Sequence, residues 1–214
     1  TQWKSDHYEA IFTEGRAEFR RRDQGIDAYT EIVVSPEDDI ELRRLRITNR
    51  AQTRRTVEVT SYAEVVLAPP AADALHPAFS NLFVQTEIVR ERQAILCTRR
   101  PRSAAEHAPW MFHLMALHGG QAGETSYETD RARFIGRGGT VAAPRAIHQP
   151  LSGSEGSVLD PIVAIRRSVT LEPRQSATID MVFGIGETRE TCLALAGKYQ
   201  DRNLADRVFD LAST

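Results

Sequence analysis

Three adjacent carboxylates, Glu37, Asp38 and Asp39 in SPEDDIEL, are the first residues whose types could do chemistry. Glycosidases use two carboxyl groups about 5–9 Å apart on either side of the scissile bond. These three instead follow one another beside Pro36, in a stretch whose composition is typical of a turn. We therefore interpret them as a solvated turn rather than an acid–base pair.

Histidines and serines occur at spacings that do not complete a reactive site. His113 and His118 flank an apolar strand, but no third ligand stands at a recognisable metal spacing. Core or surface histidines are the favoured interpretation. Ser152, Ser154 and Ser157 in LSGSEGS have neither a nucleophile-elbow pattern nor a partnered histidine. We expect a flexible loop there, and we expect neither a catalytic residue nor a bound metal in the chain.

One stretch, YETDRARFIGRGGT at residues 127–140, concentrates groups that could contact a ligand. It places Asp130, Arg131, Arg133 and Arg137 among aromatic and glycine residues. Glycine lets backbone approach a ligand closely, and arginine presents several hydrogen-bond donors. A phosphate-binding loop would add a lysine and a following helix, whereas VAAP follows here. The residues alone leave two interpretations open, a salt-bridged structural hairpin and a ligand-contacting loop.

The elements that position these residues are mainly β-strands. Short apolar runs of period two end at Gly, Pro, Asn or Asp clusters, which is typical of antiparallel sheets with one wet face. Ile40 and Leu42 alternate on one face, and Leu45 and Ile47 continue in the opposite phase. This slip predicts a β-bulge near residues 43–44.

Two hairpins are expected from the strand pattern. FVQTEIVRERQAILCTRR should turn around residues 91–93, and SVTLEPRQSATIDMVF should turn across residues 173–174. Residues 1–187 are therefore predicted to form one large antiparallel β-sandwich of two sheets.

The pattern changes at Glu187, after which apolar residues recur at helical spacing. Two short helices are predicted within residues 188–214, and Asp201 or Asn203 could cap the second. We expect this segment to lead toward another domain.

Composition limits the class of protein. The 214 residues are 41% hydrophobic, and a net charge of −2 gives no global field that would recruit nucleic acid or an anionic membrane. Neither partner is expected. Cys97 and Cys192 stand in apolar runs and indicate buried thiols in a reducing, cytoplasmic compartment. No run approaches the ~20 apolar residues of a membrane span.

Five segments, taken together and in order, resemble a known family: SPEDDIELRRLRITN, EVTSYAEV, HPAFSNLFVQTE, YETDRARFIGRG and LSGSEGSVLDPIVAIRRSVTL. The family is glycoside hydrolase family 94, formerly glycosyltransferase family 36, and the likeness is to its N-terminal β-sandwich domain over residues 8–212. It is greatest to the homologous domain of cyclic β-1,2-glucan synthases, where SYAEVVLAPPAADALHPAFSNLFVQTE would be typical.

The resemblance implies a supersandwich of the galactose-mutarotase-like kind, whose terminal helices lead into a catalytic (α/α)₆ barrel. The parent would be an inverting glycoside phosphorylase or glycosyltransferase, in which inorganic phosphate is a substrate and no cofactor is needed. This chain would then be a non-catalytic domain on the cytoplasmic side of an inner-membrane protein. Its expected partners are the barrel, a β-glucan or gluco-oligosaccharide, and a second copy in a homodimer.

The resemblance also implies a binding residue. The FIGRG segment is similar to the family segment whose arginine reaches the acceptor-side sugar, which makes Arg137 the main candidate. Arg133 and Asp130 are expected to support its orientation. The family pattern continues as FIGRGR, whereas Gly139 stands at the second arginine's position in this sequence. If that second arginine is the functional one, Arg137 is structural.

Three functions follow from these observations. The first is an auxiliary sugar-binding domain that shapes the acceptor side of a neighbouring active site. The second is a structural and dimerisation module without sugar contact. The third, a free-standing mutarotase-like enzyme, depends on fold analogy alone. A groove lined by Arg137 and an aromatic side chain would favour the first function, and its absence would favour the second.

Overall fold

Two antiparallel sheets stacked face to face form the body of the computed structural model, which describes residues 4–101, 103 and 107–212. The larger sheet has eight strands in the order β1-β2-β3-β4-β12-β9-β8-β7. Their bounds are His7–Thr13 (β1), Arg16–Asp23 (β2), Ile26–Val34 (β3), Ile40–Asn49 (β4), Ser176–Gly186 (β12), Trp110–His118 (β9), Ala94–Arg99 (β8) and Val84–Val89 (β7).

The smaller sheet runs in the order β10-β11-β5, and a short strand β6 also pairs with β11. These strands are Gln121–Asp130 (β10), Pro161–Leu171 (β11), Arg55–Thr60 (β5) and Ala63–Glu64 (β6). The described residues also form five short α-helices: Pro70–Leu75 (α1), Pro77–Asn81 (α2), Arg131–Ile135 (α3), Arg189–Lys198 (α4) and Arg202–Leu211 (α5). The predicted fold class, a mainly β two-sheet sandwich with short C-terminal helices, is confirmed.

The β-bulge predicted near residues 43–44 is wrong, because β4 pairs with both neighbours in an uninterrupted register. The apolar phase changes because β4 has a buried face on each side. Ile40 and Leu42 belong to the core beneath α4 and α5, whereas Ile47 belongs to the core between the sheets and Leu45 packs against it.

One of the two predicted hairpins is confirmed. β7 and β8 pair across a 3-10 turn at Arg90–Arg92, and Gln93 takes the left-handed backbone conformation with φ of 50°. The hairpin across residues 173–174 is wrong, because β11 and β12 lie in different sheets. The chain crosses between the sheets there. The Asn49 side-chain amide donates to the Leu171 and Glu172 carbonyls at 3.1 and 3.2 Å and holds this crossing.

Helices α4 and α5 are confirmed and form a third layer on the outer face of the eight-stranded sheet. Asp201 caps α5 by accepting from the Asn203 backbone N–H at 2.9 Å. Cys192, Tyr199 and Phe209 pack on the sheet in one buried cluster. That the segment leads toward a barrel stays a prediction. Among the described residues, no helix is long and apolar enough to cross a membrane.

Candidate functional site

Two of the three adjacent carboxylates, Glu37 and Asp38, fasten the C-terminal helices to the sheet. Asp38 accepts hydrogen bonds from Lys198 at 2.6 Å and from the Tyr199 hydroxyl. The Lys198 bond is the main reason that the pKa of Asp38 lies below its usual value. Glu37 forms an ion pair with Arg207. The stretch was interpreted as a solvated turn, and it is a turn, but Glu37 and Asp38 bond to the C-terminal helices rather than only to solvent.

A serine–histidine pair that sequence reasoning missed lies inside the sandwich. The Ser61 Oγ and His113 Nε2 are 2.7 Å apart, and the other ring nitrogen donates to the Val182 carbonyl at 3.2 Å. The His113 ring stacks on Phe183 with centroids 4.1 Å apart. Burial lowers the pKa of His113 to about 3. Because His113 is fully buried and Ser61 nearly so, a substrate has no access, and the pair is part of the core.

Helix α3 organises the stretch that contains the predicted sugar-binding residues. The Asp130 carboxylate caps this helix by accepting from the backbone N–H groups of Ala132 and Arg133, at 2.8 and 3.4 Å. The Arg133 Nε lies 3.6 Å from the Asp130 Oδ2, and its side chain is 62% exposed. The structure therefore brings Asp130 and Arg133 together.

A buried carboxylate just before α3 fixes the start of this helix. Glu128 is 1% exposed. It accepts from the Thr129 and Asp130 backbone N–H groups and, through its other oxygen, from both the backbone and the hydroxyl of Ser152. These bonds tie the α3 turn to the loop at residues 151–154. The loop was expected to be flexible. Its Ser152 is instead hydrogen-bonded to Glu128 through both its backbone and its hydroxyl.

Arg131 is part of a structural ion-pair network. Its Nε donates to Glu64 at 3.0 Å and to the Tyr62 hydroxyl at 3.3 Å, and its Nη1 donates to Asp160 at 3.4 Å. The bonds to Tyr62 and Glu64 raise the pKa of Arg131. The ion pairs of the first interpretation are therefore present, but residues 131–135 form a helix rather than part of a hairpin.

Packing around Phe134 joins α3 to the loop that follows it. The rings of Phe134 and Tyr62 have centroids 5.0 Å apart. Gly136 takes a φ of 81°, and a Cβ there would lie 2.7 Å from the Cβ of Arg145. Only glycine allows this close approach. The loop thus returns across the outer face of the four-stranded sheet.

Arg137 lies exposed at the tip of the turn between Gly136 and Gly138. Within the described part of the chain its guanidinium has no hydrogen bond or ion pair, so neither Asp130 nor Arg133 orients it directly. A Cβ at Gly139 would lie 2.3 Å from the Ile135 carbonyl oxygen. The backbone here therefore has no space for an arginine at residue 139.

A groove adjoins this turn on the outer face of the four-stranded sheet. It consists of two hollows of about 460 and 340 Å³ that share Glu58, Ile147 and Arg166. Strands β5, β10 and β11 form its floor, and residues 141–151 form its wall. Tyr62 and Phe134 line one end, but Arg137 is not among the lining residues. A groove lined by both Arg137 and an aromatic side chain is therefore not found among the described residues, so the expectation that would have favoured the first function is not met. This groove has Tyr62 and Phe134 at one end and Arg166 in its floor.

Sequence reasoning missed this groove because its polar residues come from three strands far apart in the chain. Glu58 on β5 and Arg166 on β11 stand at alternate strand positions whose side chains face outward. Any solvent-facing strand shows the same alternation of polar and apolar residues. Only the register, in which Thr60, Arg166 and Ser126 lie side by side, brings them together. In the described ranges, no cluster of three His, Cys, Asp or Glu side chains could hold a metal ion.

Comparison with known proteins points to one family. Residues 1–202 match the family described as glycosyl hydrolase 94, supersandwich domain. The cyclic β-(1,2)-glucan synthase NdvB of Rhizobium meliloti (strain 1021) is 38% identical over 170 residues, which are 78% of this chain and 6% of that protein. The solabiose phosphorylase of Paenibacillus borealis is 23% identical over 175 residues, which are 81% of this chain and 22% of that protein.

This chain spans less than a quarter of the length of either curated relative. Among solved structures, a kojibiose phosphorylase from the human microbiome aligns over 99% of this chain and 24% of its own, with a TM-score of 0.47 and 9% identity. The α-galactosidase AgaB of Geobacillus stearothermophilus aligns over 93% of this chain and 28% of its own, with a TM-score of 0.38 and 10% identity.

Proposed function

The chain belongs to the supersandwich domain family of glycosyl hydrolase 94, and from that premise we propose that it is an auxiliary, non-catalytic domain of a larger carbohydrate-active enzyme. The parent is a cyclic β-1,2-glucan synthase with a glycoside phosphorylase-like region. In that region this domain shapes the acceptor side of an active site carried by an (α/α)₆ barrel. The likeness to a cyclic glucan synthase and to a phosphorylase supports this proposal.

The observation that carries the proposal is the state of Arg137. It is an exposed arginine with no internal partner, held on a glycine turn that follows a capped helix. Most structural arginines nearby, such as Arg131 and Arg166, already donate to protein atoms. A guanidinium with free donors can bind a hydroxyl or an anionic group without first breaking a bond.

In the proposed parent, inorganic phosphate attacks the anomeric carbon while a carboxylic acid of the barrel protonates the leaving glycosidic oxygen. This domain supplies neither group. Its contribution is to position the acceptor sugar, and it works on the cytoplasmic side of the membrane. No cofactor enters the reaction.

The test is Arg137→Ala in the longer parent protein. Loss of one charge-assisted hydrogen bond should lower phosphorolysis or raise the acceptor KM by about 5–150-fold, equivalent to about 1–3 kcal/mol. Arg46→Ala is the matched control, because Arg46 is also an exposed arginine but lies on the eight-stranded sheet. Equal kinetics for the two variants would contradict the role of Arg137.

A second candidate function, packing and homodimerisation without sugar contact, is favoured by an apolar face on β1–β3. Phe12, Val34 and Tyr8 are 73%, 65% and 61% exposed. The strand register places all three on the inner face of the eight-stranded sheet, the same face as Leu45 and Ile47. Phe12→Ser should change the sedimentation behaviour of the chain if this face pairs with another surface. A changed assembly state together with unchanged Arg137→Ala kinetics would favour this second function.

A further inference from the structure

We propose that the groove on the outer face of the four-stranded sheet is a binding site for a segment of an uncharged gluco-oligosaccharide. The groove itself indicates a ligand with hydrogen-bond donors and disfavours an anion. The choice of an uncharged gluco-oligosaccharide among such ligands rests on the proposed function. The site is separate from the Arg137 turn. Through it the domain would bind glucan chains in addition to its proposed role beside a neighbouring active site.

The groove has the size and position of a ligand site. Its hollows, of about 460 and 340 Å³, each fall in the range of small-molecule sites, about 300–1,000 Å³. Because the two hollows share three lining residues, they form one continuous depression open to solvent. A ligand longer than a single sugar ring can extend over both.

Two carboxylates in the groove have no partner in the described part of the chain. Glu58 on β5 and Glu124 on β10 are both exposed, and neither forms an ion pair or a side-chain hydrogen bond there. Ser168, paired with Glu58, and Ser126 add hydroxyl groups. Free carboxylates accept charge-assisted hydrogen bonds from sugar hydroxyls.

The charged groups of the groove disfavour an anionic ligand. Arg166 is 8% exposed, and each of its three nitrogens already donates: Nε to Thr60 Oγ1 at 2.9 Å, Nη1 to the Gln149 carbonyl at 3.0 Å, and Nη2 to the Ala146 carbonyl. It cannot offer a free pair of donors to a phosphate, and the two glutamates repel anions. The positive charge of Arg166 offsets part of their negative charge. The free acceptors therefore suit a ligand that donates hydrogen bonds, such as a sugar.

The wall of the groove supplies the apolar surface that a sugar ring needs. Ile147 and Val141 are 46% and 52% exposed, and Pro150 and Leu151 continue the wall. The C–H face of a pyranose ring can pack on these side chains while its hydroxyl edge faces the strands. The 3-10 turn at Arg145–His148 is held over the sheet by Arg166, so the wall is already in place without a ligand.

The experiment is a titration of the isotope-labelled 214-residue chain with a short linear β-1,2-linked gluco-oligosaccharide, followed by amide chemical shifts. Binding should move the amides of Ser126, Gln149 and Ser168 with a millimolar dissociation constant. The double variant Glu58→Gln/Glu124→Gln should weaken binding about tenfold, because neutral amides replace two charged acceptors. Both substitutions should leave the melting temperature unchanged, since neither carboxylate has an internal partner.

Controls separate the possible outcomes. Glu190→Gln removes an exposed carboxylate on α4 and should bind like the parent sequence. Inorganic phosphate should not displace the sugar, and displacement would overturn the assignment of an uncharged ligand. Unchanged spectra at tens of millimolar oligosaccharide, or shifts confined to the Arg137 turn, would overturn the groove proposal. Kinetics of Arg137→Ala and of the double variant in the parent separate a failure of the groove from a failure of the proposed function.

Discussion

The eight-stranded sheet has its outer face covered by α4 and α5, whereas the four-stranded sheet leaves much of its outer face open as a groove. Each face contains an arginine that lies mostly below the surface. Arg44 on the covered face donates to Asp180 at 2.7 and 2.9 Å and also to Asp206 on α5. Arg166 on the open face donates only to a hydroxyl and to carbonyl groups.

The difference lies in how each arginine's charge is compensated. Desolvation opposes the charged form of Arg44, but hydrogen bonds and charges of Asp180 and Asp206 outweigh it and raise its pKa. Arg166 has no such carboxylate partner, and the nearby Glu58 stays unpaired. On the covered face, the arginine and the carboxylates pair with one another inside the protein. On the open face, the Glu58 carboxylate has no such partner and can accept hydrogen bonds from a ligand.

The largest effect should come from breaking the covered face. Arg44→Ala leaves the Asp180 carboxylate, which has no exposed surface, without its main partner. We expect the free energy of unfolding to fall by about 3–5 kcal/mol, as when one member of a buried pair is removed. Urea denaturation measures this loss.

Arg46→Ala is the control for Arg44→Ala, because Arg46 lies two residues along β4 on the same face and is exposed. It should change stability little. Equal effects of the two substitutions would show that the pairing with Asp180 and Asp206 does not distinguish the covered face.

A smaller effect is expected from the arginine of the open face. Arg166→Gln removes the bonds to the Ala146 and Gln149 carbonyls and should cost about 1.5–3 kcal/mol. Hydrogen exchange should rise mainly at residues 145–149, since these bonds hold the groove wall. Arg166→Lys keeps the charge and should restore part of the stability. Uniform protection across the chain would mean that the wall does not depend on Arg166.

A prediction that depends on pH concerns His113, whose side chain is buried inside the sandwich. Its folded pKa of about 3 lies below the ordinary value of 6.5. Between these values the unfolded chain binds a proton that the folded chain does not, so stability falls as pH falls from 6.5 toward 3. The slope is at most about 1.4 kcal/mol per pH unit.

Denaturation at several pH values should show this slope reduced in His113→Gln, which does not titrate. His76→Gln, at an exposed histidine, should keep it. A slope that is the same in all three proteins would assign the acid sensitivity to carboxylates alone.

Strand content and the C-terminal helices could be predicted from the sequence because period-two and helical patterns are local. Asp201, Cys97 and Cys192 were identified for the same reason, since capping and apolar burial depend on near neighbours. The phase change in β4 was misinterpreted because a strand with one buried face on each side gives the same pattern as a bulge. The pairing across residues 173–174 failed because a sequence does not show when a chain changes sheets.

The residues of the candidate site also differ in whether local sequence could identify them. Asp130 and Arg133 were found in one short stretch, and the structure places them in contact. The expected support of Arg137 by these residues involves no contact between their side chains, and its role with sugar stays a prediction. Glu128, Glu58 and Arg166 could not be found, because burial and register across three strands decide what each of them touches.

The crowding at Gly139 has a consequence for how this domain can be re-engineered. With the Ile135 carbonyl oxygen 2.3 Å from any Cβ at that position, an arginine cannot be introduced there by one substitution without strain. The turn after α3 would first have to follow another path. A transplant that places a side chain at residue 139 must therefore exchange the whole turn.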